Sequence, residues 1–159
     1  MSVRKKRSPP PPFATSKGTW ERNPYTLLFQ DQLDSPAYIG LSASAKEAYT
    51  ILREEYKGPI FGSTVICPYS TFQKKGMRPN TLSRALLMLE TFGFIKIDHG
   101  GLEHQPNRYT FSEDWKDIKT DEDVRTVQER LNEAIARKNR AKSVLMSTYR
   151  TPTRYGSYI

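Results

Sequence analysis

Glycine and proline punctuate the middle of this chain so closely that only short elements can form there. Gly58-Pro59, Pro68, Gly76, Pro79 and Gly93 each stop or start a segment. Proline cannot continue a helix from within, but it suits a helix's first turn. Glycine accepts the left-handed backbone that commonly ends a helix.

The residues between these marks carry clear periodicities. Over residues 42–56, Ala45, Ala48, Tyr49, Leu52 and Tyr56 recur at three- to four-residue spacing, which predicts a helix with one apolar face. Ser44 with Glu47 three residues on reads as its capping box, and Gly58-Pro59 as its end. Val65-Ile66-Cys67 is a short β-branched stretch and reads as a strand. A second helix is expected over residues 68–75, stopped by Gly76. A third starts at Pro79 and runs to residue 92, with Leu82, Ala85, Leu86, Leu89 and Phe92 on one face and Gly93 as its cap.

Two alternating segments follow, at residues 94–98 and 108–112. The loop between them holds Gly100, Gly101, Pro106 and Asn107, so the pair reads as a hairpin with a long loop. Trp115 is expected as a lid on the core. Residues 20–40 mix aromatics and leucine with polar groups and read as an extended lead-in closing at Asp34-Ser35-Pro36.

Thr120, followed by Asp121, Glu122 and Asp123, marks the start of a long helix, because acidic groups complement the positive end of the helix dipole. Val124, Val127, Leu131, Ala134, Ile135, Ala141 and Leu145 form a stripe close to heptad spacing, interrupted by Lys138. The stripe has two readings. It packs on its own domain, or it forms the seam of a homodimer.

The formal net charge of +8 is unevenly placed. Residues 1–22 hold six basic side chains against one acidic, and residues 119–159 hold nine against five. Residues 23–118 hold ten against eleven. A near-neutral core with two basic extensions suits a polyanionic partner. Residues 1–19, with Arg4-Lys5-Lys6-Arg7 and the run from Pro9 to Pro12, are expected to be a disordered basic arm that orders on a nucleic-acid backbone. Residues 20–118 are expected to fold as one domain, 119–149 as an amphipathic helix and 150–159 as a flexible tail.

Charge and motif together exclude several classes. The one cysteine, Cys67, excludes an internal disulfide and a cysteine-based zinc site. His99 and His104 lack partners to complete a metal set, so no metal is expected. No apolar run reaches membrane-spanning length, and residues 1–12 have no apolar stretch behind their basic ones, so a cytoplasmic location is expected. No phosphate-binding glycine loop, nucleophile elbow or His-Glu-x-x-His occurs, so neither enzyme activity nor a cofactor is expected.

The predicted order is helix, strand, helix, glycine turn, helix, hairpin. Two helices joined through Gly76 fit a helix-turn-helix, and the hairpin fits a wing. Leu33-Asp34-Ser35-Pro36-Ala37, Leu41-Ser42-Ala43-Ser44-Ala45, the run from Gly76 to Leu86, Leu89 and Phe92-Gly93-Phe94-Ile95 are similar to winged helix-turn-helix proteins of phages, plasmids and conjugative elements. The resemblance covers residues 33–115 and departs from the commonest pattern at Arg78-Pro79, where a small polar N-cap is usual. It implies a core of three helices, a short strand and a β-hairpin wing; with the long C-terminal helix read from residue 120 onward, the expected fold is α+β, mainly helical. It also implies replication, transfer or transcriptional work for a mobile element, with that element's other proteins as potential partners.

A recognition helix enters the major groove with its N-terminal residues at base edges. Opposite the apolar face of the 79–92 helix lie Asn80, Thr81, Ser83 and Arg84, with Arg78 at its start. These side chains can pair with guanine, adenine or phosphate. Lys74 and Lys75 are placed for phosphates, and residues 74–84 hold four basic side chains and no acidic one. On the wing, Lys96 and Arg108 are candidates for a minor groove or backbone. Double-stranded DNA is therefore the expected partner. The alternatives are a protein-interaction module docking through the C-terminal helix, or an RNA- or ribosome-associated module.

Overall fold

The computed structural model describes residues 26, 28–56, 64–100 and 105–148. The basic arm with Arg4, Lys5, Lys6 and Arg7, the Gly58-Pro59 break, Gly101, His104 and the 150–159 tail lie outside them. The fold is α+β and mostly helical. Its elements are α1 (Gln30–Leu33), α2 (Pro36–Ile39), α3 (Ala43–Glu55), β1 (Thr64–Ile66), α4 (Tyr69–Lys74), α5 (Pro79–Thr91), β2 (Ile95–Asp98), β3 (Arg108–Phe111) and α6 (Asp121–Thr148), with a 3-10 turn at Asp114–Asp117.

Of the expected extended lead-in over 20–40, residues 20–25 and 27 lie outside the described residues, and the part from residue 30 on forms two single-turn helices instead. Ser35 joins them: its hydroxyl donates to the Gln32 carbonyl at 2.7 Å and accepts from the Tyr38 N–H at 3.1 Å. Gln32 is 2 % exposed, and its side-chain amide donates to the Tyr49 hydroxyl at 2.7 Å. A buried amide without such a partner costs about 1–3 kcal/mol, so this bond holds the segment to α3.

The start of α3 also differs from expectation. Ser42, not Ser44, is the N-cap, and its hydroxyl accepts from the Ala45 N–H at 3.3 Å. The buried face is the one the periodicity predicts: Ala45, Ala48, Tyr49 and Leu52. Arg53, 7 % exposed, is buried too. Its guanidinium lies 4.6 Å from the Phe111 ring centroid and 5.5 Å from that of Tyr49, so aromatic faces receive its charge.

Both ends of the α4–α5 pair close in the same way. Gly76, at φ +94°, gives its N–H to the Gln73 carbonyl, while Met77 reaches back to the Phe72 carbonyl. Gly93, at φ +77°, gives its N–H to the Glu90 carbonyl, while Phe94 reaches back to the Leu89 carbonyl. These are paired Schellman closures, which satisfy otherwise orphaned helix carbonyls and send the chain inward. The residues after each glycine, Met77 and Phe94, are both buried. Pro68 stands one position earlier than expected, as the N-cap of α4, and Pro79 is the first residue of α5.

The sheet is antiparallel with order β1-β3-β2. Val65 pairs with Tyr109, and Ile95 with Phe111, so β3 is central and sends Tyr109 and Phe111 into the core. Phe94 sits at the core's centre. It meets Tyr38 and Tyr49 edge-on and stacks on Trp115 at 5.8 Å and 5°. Trp115 thus closes the core as expected.

α6 begins with a reciprocal cap. The Thr120 hydroxyl accepts from the Asp123 N–H, and the Asp123 carboxylate accepts from the Thr120 N–H at 2.9 Å. Its 28 residues give a rod about 42 Å long. The first half packs on the domain through buried Val127 and Leu131 and half-buried Val124 and Ile135. The second half leaves the core, and Val144 and Leu145 are 64 % and 61 % exposed.

Candidate nucleic-acid interface

α5 turns Leu82, Ala85, Leu86 and Leu89 inward, and this leaves the other side of the helix outward. Arg78, Asn80, Thr81 and Arg84 are exposed there, and Ser83 is half-buried. No acidic residue interrupts this face before Glu90. Asn80, Ser83 and Arg84 share one side of α5, beside which α6 packs; Thr81 lies towards Met88, and Arg78 is the N-cap.

The other candidates are less alike. Lys74 is exposed in the last turn of α4. Lys75 forms an ion pair with Glu54 of α3, so its ammonium already has an anion. Lys96 lies 3.2 Å from the Asp114 carboxylate. The Ser112 hydroxyl and the Lys96 ammonium hold the Asp114 carboxyl below the usual carboxylate range. Arg108 is exposed at the start of β3, in register with Asp98 of β2 and Ile66 of β1. Lys96 of the hairpin is thus already balanced by an acid, whereas none of the ion pairs among the described residues falls on α5.

The sequence offered the basic end of the C-terminal helix as an extension of a DNA footprint; what it did not show is where that end lies. α6 packs along α5, and two clefts open beside their seam. One, of about 420 Å³, is bordered by Ser42, Thr81, Met88, Gln128 and Asn132. The other, of about 410 Å³, is bordered by Asn80, Ser83, Arg84, Lys138, Asn139 and Lys142. Across it the Lys138 ammonium donates to the Ser83 hydroxyl at 2.8 Å. The signal was present: Lys138 is the residue that interrupts the apolar stripe of α6. It breaks the stripe where the helix leaves the core and reaches α5.

Among the described residues no helix is long and apolar enough to cross a membrane. Comparison with protein-family models, with curated proteins and with solved structures gives no match.

Proposed function

We propose that this chain is a winged helix-turn-helix protein that binds double-stranded DNA through α5. The observation that carries the reading is the start of α5, where Arg78, Asn80, Thr81 and Arg84 are all exposed and no carboxylate stands among them. The arrangement around it supports the same view. α4 and α5 meet through Gly76, the β2–β3 hairpin follows directly, and β1 completes a three-stranded sheet behind it. The mobile-element setting, with replication, transfer or transcriptional control as the task, follows from the sequence resemblance alone.

Size sets the mode of approach. A helix with side chains is about 10–12 Å across, and packed helices lie about 8–10 Å apart. The major groove is about 12 Å wide, so it admits one helix and not the α5–α6 pair. α5 therefore leads with its N-terminal turn, where Arg78, Asn80 and Thr81 reach base edges first. Ser83 and Arg84 stand a turn further on.

Selection of bound sites from random duplex DNA tests the reading. Enrichment of one sequence is expected. Arg78→Ala or Asn80→Ala should then lose about 1–3 kcal/mol of binding to it and relax preference at one position. No enriched sequence, or tighter binding to duplex RNA than to duplex DNA, would remove the proposal.

A further inference from the structure

Arg84, Lys138 and Lys142 border one cleft between α5 and α6, and no carboxylate borders it. Three other lysines find acids: Lys75 pairs with Glu54, Lys96 with Asp114 and Lys116 with Glu113. In this cleft the Lys138 ammonium meets a neutral hydroxyl instead. Arg84 and Lys142 take part in none of the ion pairs among the described residues. Three like charges around one space repel, and an anion placed between them reverses the sign of the interaction.

The remaining wall is suited to such an anion. Asn80 and Asn139 bring side-chain amides that donate hydrogen bonds, and Ser83 brings a hydroxyl. A guanidinium can fork onto two phosphate oxygens, and ammonium groups act as point charges beside it. A phosphate adds charge–charge attraction to the hydrogen bond that the Lys138 ammonium now makes to a neutral hydroxyl, so Lys138 gains by exchanging Ser83 for phosphate.

We infer that the α5–α6 cleft is a phosphodiester site, in which Lys138 and Lys142 of α6, with Arg84, hold the backbone of a nucleic acid. This rests on the reading of α5 as the helix that faces DNA. It adds a part that the three-helix core lacks: α6 works as a clamp on the strand beside α5. Its contribution is to affinity and is indifferent to base sequence.

The test is a Lys138→Gln, Lys142→Gln double variant of the full chain, titrated with salt on one fixed duplex. Both side chains are exposed, so the fold should persist, as circular dichroism would verify. The slope of log K against log salt is expected to fall by about 1.8, because each neutralised phosphate contributes about 0.9. An unchanged slope overturns the inference, and tighter binding alongside it would make α6 only a cover on α5. Inorganic tripolyphosphate is the second probe, followed through the backbone amide signals of Ser83 and Asn139. Shifts in the wild type that vanish in the variant support the cleft even where no base preference is found. The absence of shifts in the wild type overturns it.

Discussion

The Ser83 hydroxyl of α5 accepts a hydrogen bond from the Lys138 ammonium of α6 at 2.8 Å, and this ties two helices whose residues lie 55 positions apart. The bond stands where α6 stops burying apolar side chains. Val127 and Leu131 anchor the helix before it, and Val144 and Leu145 are exposed after it.

Ser83→Ala removes the acceptor. The bond is exposed, so the loss of global stability should stay below about 1 kcal/mol. The local effect should be larger. Amides beyond residue 138 should exchange hydrogen faster, while those near Val127 and Leu131 should not change. Hydrogen exchange by residue, set beside a melting curve, separates the two.

Gly93→Ala and Gly76→Ala should differ in cost. Both glycines have positive φ, which alone costs an alanine about 1–2 kcal/mol. At Gly93 a Cβ would also lie 2.8 Å from the Asp114 carbonyl carbon and the Trp115 nitrogen, both backbone atoms. At Gly76 it would meet no atom of the described residues within 4 Å. The expected order of melting temperatures is wild type, then Gly76→Ala, then Gly93→Ala. Equal losses would show that the turn before Trp115 yields easily.

Cys67 should behave as an inert thiol in the folded chain. Burial, with a smaller contribution from Glu55, pushes its pKa up to about 11. Iodoacetamide at pH 8 should therefore label it only as fast as the domain opens, and at once in denaturant. The linkage has one sign. In the unfolded chain the thiol ionises near its ordinary value of 9.0, and in the folded chain near 11. Stability is full below the first value and falls as pH rises from the first towards the second. Cys67→Ser, measured by urea unfolding at alkaline pH, should flatten that decline.

The helices bounded by glycine and proline were legible because their boundaries are local chemistry. Pro79 and Gly93 mark α5 in any context, and its apolar spacing needs one face to be buried. The single-turn helices α1 and α2 were not legible, since four residues display no period. What holds them is the bond from Gln32 to Tyr49, seventeen residues away. Ser44-x-x-Glu47 matched a capping box, yet Ser42 caps the helix; the match was a spacing that two nearby serines both offered. At the candidate interface, the outward side of α5 followed from the position of its leucines. The pairing of Lys75 with Glu54 and of Lys96 with Asp114 did not, because both depend on how separate elements come together. The approach of α6 to Ser83 was hidden for the same reason. Its traces were a lysine in an apolar stripe and the basic loading of that end of the helix by Arg137, Lys138, Arg140 and Lys142.

The two glycine closures fix α5 from both ends, one through Met77 and the other through Phe94. The helix is therefore aimed by residues that lie outside it. Arg78, Asn80, Thr81 and Arg84 take no part in that aiming, so they can be exchanged without shifting the leucines beneath them. Selection can then revise the exposed side chains of α5 while the scaffold is inherited intact, so that under the proposed reading related chains diverge in binding preference before they diverge in fold.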